Sequence, residues 1–167
     1  MEYPDFYNAI TMSIRRDPKA LAMIPKIDKD LVVVVAAVYI MVAISFVMEE
    51  NWTPLVRYLA VPGVGFVLCT ALRAAINAPR PVEKYGIDPI IKKDTSGKSF
   101  PSRHVFSATI IAFALFWLQP WWGGLGFVAV LVVCFTRIVG GVHFPRDVVA
   151  AVLLAAACAL VGFVLIP

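Results

Sequence analysis

Two ionisable side chains, His143 and Asp147, lie beside the apolar C-terminal segment of this 167-residue chain. Pro145 lies between them, and because proline suits the first turn of a helix, we expect a helix to begin there. Asp147 would then lie in the first turn, where a carboxylate is favoured by the helix dipole. It could accept a hydrogen bond from one imidazole nitrogen of His143 and leave the other nitrogen free to attack. For this stretch alone, charged groups flanking a turn between two helices are the simpler interpretation.

Two further clusters upstream carry groups that bind oxyanions. The clusters read Arg73-x6-Arg80-Pro81 and Pro101-Ser102-Arg103-His104, and the third, which holds His143 and Asp147, begins at Arg137. Guanidinium groups can hold a phosphoryl group bidentately, and a serine hydroxyl with the N–H groups at a helix start adds further donors. A second imidazole beside the first can act as an acid. Together these groups favour phosphoryl transfer through a phosphohistidine, with catalysis by positioning and by charge stabilisation on the phosphoryl oxygens.

In this order, the three clusters resemble the type 2 phosphatidic acid phosphatase superfamily of lipid phosphatases, vanadium haloperoxidases and bacterial acid phosphatases. That family's pattern is Lys-x6-Arg-Pro, then Pro-Ser-Gly-His, then Ser-Arg-x5-His-x3-Asp. The resemblance implies that His143 is the nucleophile, that Asp147 orients it and that His104 protonates the leaving oxygen. It also implies a set of phosphate-binding residues, namely Arg73, Arg80, Ser102 and Arg137.

The sequence departs from the family pattern at three positions. Arg73 replaces the lysine, which keeps the charge but changes a point donor into a planar fork. Thr136 replaces the serine before Arg137. Arg103 replaces the glycine, which keeps the backbone N–H and adds a bulky cation at the mouth of the pocket. We hypothesise that Arg103 contacts a second phosphate or the headgroup, and we count it among the phosphate-binding residues.

The sequence shows no pattern of metal ligands. No group of Asp or Glu residues has the spacing of a metal site, and the two histidines stand on separate segments. We therefore predict activity without a divalent metal or any other cofactor.

Composition indicates a membrane protein. Hydrophobic residues make up 60% of the chain and charged residues only 16%, and the mean hydropathy is +0.83. The uncharged runs 31–48 and 148–167 each approach the length that crosses a hydrocarbon core of about 30 Å. With a net charge of +4, anionic lipid headgroups or phosphate-bearing substrates are favoured as partners over nucleic acid.

We predict an all-α fold, a polytopic membrane bundle of about five transmembrane helices preceded by one or two interfacial helices. The chain is a single domain, 1–167, in which 1–30 is the interfacial segment and 31–167 the transmembrane core. The predicted spans are 31–48, 55–76, 102–118, 125–139 and 145–166. Because successive spans alternate in direction, the three clusters are expected at one membrane face.

A site at the ends of apolar helices suits a lipid phosphate whose tail stays in the bilayer. The candidate substrates are a polyprenyl phosphate or diphosphate, phosphatidylglycerophosphate and phosphatidic acid. The alternatives are a transporter or scaffold of the same fold that binds an anion without chemistry. All but Arg57 of the 15 Lys and Arg residues fall on the face of the clusters. The charge bias predicts the cytoplasmic face of a bacterial cytoplasmic membrane, whereas the family resemblance also allows the outer face.

Overall fold

The computed structural model of the protein describes residues 2–93 and 96–166, which form helices joined by turns and loops. The helices of this part of the chain are α1 (Tyr3–Arg16), α2 (Pro18–Met48), α3 (Trp52–Ile76), α4 (Pro81–Tyr85), α5 (Arg103–Leu118), α6 (Pro120–Val139) and α7 (Pro145–Ala159). A π-helical turn, Leu160–Leu165, extends α7. The predicted all-α fold is confirmed.

Most of the helices are long enough to cross a bilayer. Among the described residues, four stretches are long and apolar enough: Pro18–Met48, Trp52–Tyr85 (α3 together with the short α4), Pro120–Val139 and Pro145–Leu165. α5 is also apolar but has only 16 residues. The bundle therefore contains four full-length candidate spans and a shorter fifth helix.

α5 lies at the centre of the bundle and packs against α3, α6 and α7. Small side chains allow this close approach. A Cβ atom on Gly126 of α6 would lie 3.0 Å from the Cβ of Ala112, and one on Gly123 would lie only 2.3 Å from the Cβ of Phe116. Because α5 is enclosed, its first residues are held rigidly at one end of the bundle.

The N-terminal region differs from the sequence prediction. α1 is a separate helix, but α2 begins at Pro18 and runs unbroken through Pro25 into the predicted span. Asp17 caps α2, since its carboxylate accepts a hydrogen bond from the N–H of Lys19 at 2.9 Å. Pro25 costs one backbone hydrogen bond, yet the helix continues there. The neighbouring Ile24 is buried in an apolar cluster.

α1 is attached to the same end of the bundle as the three sequence clusters. Tyr7 is fully buried, and its hydroxyl donates a hydrogen bond to the carbonyl of Val139 at 3.1 Å. The same hydroxyl accepts a hydrogen bond from the N–H of Ile90 at 3.3 Å. Tyr7 thus connects α1 to the end of α6 and to the segment between α4 and α5.

Candidate active site

A polar cavity of about 570 Å³ lies at this end of the bundle. Five of the residues singled out from the sequence line it: Arg73, Arg80, Arg103, His104 and His143. They come from α3, from the N-cap of α4, from the first turn of α5 and from the turn before α7. Ser102, Arg137 and Asp147 do not line the cavity but are buried next to the residues that do. The fold therefore brings the three clusters together.

The turn between α6 and α7 positions His143. The backbone N–H groups of Val142 and His143 both donate to the carbonyl of Arg137, at 3.2 and 3.3 Å. Gly141 has a φ of +72°, a conformation that residues with a side chain rarely adopt. A Cβ there would also lie 2.8 Å from the Tyr7 hydroxyl. The turn is thus tight against α1, and His143 is only 2% exposed.

A serine lies between His143 and Asp147. The distance from His143 Nδ1 to Asp147 Oδ2 is 3.6 Å, which is too long for a hydrogen bond. The hydroxyl of Ser99 donates to Asp147 Oδ2 at 2.6 Å and lies 3.3 Å from His143 Nδ1. Asp147 Oδ2 also accepts the backbone N–H of Phe144 at 3.0 Å. Sequence reasoning missed Ser99, and its only signal was its position just before the second cluster.

Burial sets the charge of His143. Burial lowers the pKa of His143 to about 4, and the neighbouring Asp147 carboxylate opposes this shift without cancelling it. The imidazole is therefore neutral at pH 7. A neutral imidazole has a lone pair available on one ring nitrogen, which is the state that nucleophilic attack requires.

The arginines of the first cluster are anchored to the backbone of the other two. Arg73 Nη1 donates to the carbonyls of Ser99 and Pro101, at 3.3 and 2.6 Å, and Arg80 Nη1 donates to the carbonyl of Val142 at 3.3 Å. These hydrogen bonds occupy the Nη1 nitrogen of each guanidinium group and fix the orientation of its plane. The remaining N–H groups are therefore oriented before a ligand binds, without further loss of side-chain freedom.

Several buried polar atoms near the cavity have no hydrogen-bond partner within the described part of the chain. In the three clusters they are Arg80 Nε, Ser102 Oγ, Arg137 Nε, Arg137 Nη1 and Asp147 Oδ1, of which all but the carboxylate oxygen of Asp147 can donate. Buried donors are almost always satisfied in folded proteins, so unpaired donors clustered around one cavity indicate a ligand that accepts hydrogen bonds. An oxyanion fits this set of donors.

Arg137 has an acidic partner that the sequence analysis did not identify. Arg137 is 2% exposed, and its Nε lies 2.9 Å from Oδ1 of Asp28 in α2. The same carboxylate oxygen accepts a hydrogen bond from the hydroxyl of Thr136 at 3.0 Å. Asp28 lies in the segment predicted to be interfacial, and no local pattern marks it as a site residue.

A second, mostly apolar cavity of about 330 Å³ shares Arg103 and His104 with the polar one. Its other lining residues come from α2, α3, α5 and α6: Val32, Val35, Ala36, Phe66, Ser107, Ala108, Ile111 and Val133. The guanidinium carbon of Arg103 lies 5.6 Å from the centre of the Phe66 ring, a distance typical of a cation–π contact. Arg103 thus stands at the boundary between a polar and an apolar space.

Comparison with known proteins gives a family and two similar structures. The family model described as the PAP2 superfamily matches residues 54–167, and no curated protein matches the sequence significantly. LpxE from Aquifex aeolicus is similar in structure, with a TM-score of 0.72 and 20% identity over 95% of this chain and 92% of that one. A transmembrane PAP2-type phosphatidylglycerolphosphate phosphatase from Bacillus subtilis has a TM-score of 0.65 and 22% identity over 94% and 82%. At this identity the two structures show the shared fold.

Proposed function

The chain belongs to the PAP2 superfamily, and on that premise we propose that it hydrolyses a phosphomonoester or diphosphate on a membrane lipid. The observation that carries the proposal is the polar cavity, where His143, His104, Arg73 and Arg80 meet. The apolar cavity that shares His104 can take the first carbons of a lipid tail. A reacting phosphate would then lie at headgroup depth while the tail remains among the helices.

The proposed reaction has two steps through a phosphohistidine. The free imidazole nitrogen of His143 attacks phosphorus, a nitrogen–phosphorus bond forms, and the bond from phosphorus to the lipid oxygen breaks. His104 donates a proton to that oxygen, and the lipid leaves. Water then attacks the phosphohistidine, its proton passes to His104, and inorganic phosphate leaves with His143 restored.

The surrounding donors stabilise the charge on the phosphoryl oxygens. In the proposal, Arg73, Arg80 and Arg137 supply guanidinium groups, and Ser102 supplies a hydroxyl at the start of α5. The backbone contacts of Arg73 and Arg80 and the unpaired buried donors support this role. Donors held in place before the reaction cost no reorganisation when charge develops.

The proposed site supports a class of substrate, a lipid phosphate, and leaves several lipids open. We propose a polyprenyl phosphate or diphosphate, phosphatidylglycerophosphate or phosphatidic acid as the substrate. A relative of known structure is named as a phosphatidylglycerolphosphate phosphatase, which supports a phosphate ester at headgroup depth. We propose that the protein works in a bacterial cytoplasmic membrane.

Phosphate release from a panel of these lipids by the purified protein in detergent tests the proposal. The protein should release phosphate from at least one lipid, resist EDTA and be inhibited by vanadate, which mimics the transition state. His143→Ala should abolish release, whereas Thr70→Ser, a change in a cavity-lining residue to which the mechanism gives no role, should keep most of it. Anion flux through liposomes without release of phosphate from any lipid would overturn the proposal in favour of a transporter.

A further inference from the structure

The polar cavity is larger than one phosphoryl group requires. A water molecule takes about 30 Å³ in the liquid, and a phosphoryl group is only a few times larger, so it fills part of the 570 Å³. The remaining wall carries four cations that belong to none of the motif's matched positions: Lys92, Lys93, Lys98 and Arg103. We propose that this outer wall, the part of the cavity lined by these four cations, is a subsite for a second phosphoryl group on the substrate. This proposal rests on the proposed function.

The position of Arg103 gives the direction of this subsite. Arg103 lines both cavities together with His104, which in the proposed mechanism protonates the leaving oxygen. A cation beside that imidazole lies on the leaving-group side of the reacting phosphorus. In a lipid diphosphate the leaving group is itself a lipid monophosphate, so its phosphoryl group would lie near Arg103. His143 attacks the terminal phosphorus, and the bridging oxygen leaves with the proton from His104.

The lysines form the rest of the outer wall. Burial lowers the pKa of Lys93, and the positive charges of Arg137 and Arg80 lower it further. An anion bound next to Lys93 would relieve this repulsion. A second phosphoryl group reaches this wall from either of two sources, the inner phosphate of a lipid diphosphate or a phosphodiester further along a headgroup. Both present the same chemistry to the lysines.

Three substrates separate these sources: a polyprenyl monophosphate, the diphosphate of the same alcohol, and phosphatidylglycerophosphate, which carries a phosphodiester and a terminal monoester. We expect Arg103→Gln and Lys98→Gln to lower the ratio of kcat/KM for a two-phosphate substrate to kcat/KM for the monophosphate by about tenfold, close to 1.4 kcal/mol. Lys84→Gln, which removes a cation outside the cavity, is the control and should leave the ratio unchanged.

The arms of this experiment have distinct consequences. If the variants lower the kcat/KM ratio for the diphosphate alone, the subsite binds an inner phosphate. If they lower the ratio for phosphatidylglycerophosphate alone, it binds a phosphodiester. An unchanged ratio for both two-phosphate substrates overturns the subsite while leaving the phosphatase intact. If the unmodified protein released phosphate from none of the three lipids, this result would instead count against the proposed function.

Asp28 carries a second, independent inference. Asp28 is 7% exposed and lies in α2, outside the 54–167 region that matches the family model. We infer that Asp28 is a positioning residue for Arg137. It forms an ion pair with Arg137, with 2.9 Å between Asp28 Oδ1 and Arg137 Nε, whereas neither Nε nor Nη1 of Arg137 has a hydrogen-bond partner among the described residues. The carboxylate therefore places a counter-charge at the Nε side of the guanidinium and leaves Nη1 for a phosphoryl oxygen.

Physical considerations favour a positioning role over simple stabilisation. A buried guanidinium without a counter-charge is strongly unfavourable, so Arg137 requires a partner when no substrate is bound. Thr136 fixes that partner in turn, because its hydroxyl donates to the same carboxylate oxygen at 3.0 Å. Arg137 is therefore already oriented before phosphate arrives, and binding costs less rotamer freedom.

A double-mutant cycle tests this inference. Asp28→Ala should weaken vanadate inhibition and lower kcat/KM by about thirtyfold, but should have less than a threefold effect when Arg137 is already Ala. Asp28→Asn keeps an acceptor for Thr136 and should give an intermediate loss, which covers the case in which Asp28→Ala does not fold. Asp30→Asn, an exposed acid on the same helix, is the control. Equal effects of Asp28→Ala with and without Arg137, or an Asp28→Asn protein that loses thermal stability but keeps its kcat/KM, would overturn the inference.

Discussion

The protonation of His143 couples the candidate site to the stability of the fold. Its pKa is about 4 in the folded protein because of burial, compared with about 6.5 in an unfolded chain. Between these two values the unfolded state binds more protons than the folded one. The lowered pKa of His143 therefore costs no stability above pH 6.5. Between pH 6.5 and pH 4, the free energy of unfolding decreases as the pH decreases.

We predict that the melting temperature of the purified protein decreases between pH 7 and pH 5, and that His143→Gln reduces this decrease. Thermal denaturation in detergent at both pH values, monitored by tryptophan fluorescence, measures this decrease in melting temperature. An equal decrease in the wild type and in His143→Gln would show that other groups set the acid limit.

Ser99 separates the candidate nucleophile from its carboxylate, so its hydroxyl should influence the rate more than substrate binding. We predict that Ser99→Ala lowers kcat by about tenfold, since a hydrogen bond to a charged group contributes about 1.5–3 kcal/mol, while KM changes little. Steady-state kinetics on the best lipid of the panel measure this. Ser96→Ala, the same change at a serine that lines the cavity and to which the mechanism gives no role, should leave kcat unchanged.

At the scale of the elements, apolar runs predict helices well because each membrane helix satisfies its own backbone hydrogen bonds. The start of α2 was not predictable in this way. The first predicted span begins at residue 31, yet α2 begins at Pro18, where Ile24 packs against residues distant in sequence. The same limit applies to Asp28, because its partners Thr136 and Arg137 are more than a hundred residues away. Spacing within a motif is local, whereas such pairs form only when the helices pack.

The turn between α6 and α7 is the element on which the position of His143 most depends. We predict that Gly141→Ala destabilises the protein by about 1–2 kcal/mol from the left-handed conformation alone, with a further cost from the contact with the Tyr7 hydroxyl. Thermal denaturation measures the loss, and kcat should decrease because His143 shifts. Gly86→Ala, at another glycine with positive φ but with open space around its Cβ position, separates backbone strain from contact. Equal losses at the two positions would show that contact with α1 contributes nothing.

At the scale of the whole molecule, the candidate site and most of the positive charge lie at one end of the bundle. All but Arg57 of the 15 Lys and Arg residues belong to segments at that end. Arg57 lies near the start of α3, where its Nε donates to the carbonyl of Gly162 at 2.9 Å. The proposed phosphate binding would account for the arginines of the cavity, but it gives no role to the basic residues of α1 and of the start of α2. Those residues favour the cytoplasmic side for this end of the bundle.

Cysteine labelling in intact cells tests this orientation directly. We predict that Lys92→Cys, at the site end, is protected from a membrane-impermeant maleimide until the cells are permeabilised, because charge near the helices holds that end in the cytoplasm. Asn51→Cys, in the turn between α2 and α3 at the opposite end, should react in intact cells. The parent protein measures background from Cys69, Cys134 and Cys158, of which Cys69 is buried and the other two are half-buried. The reverse pattern of labelling would place the site on the outer face and would mean that phosphate binding, not topology, accounts for the charge bias.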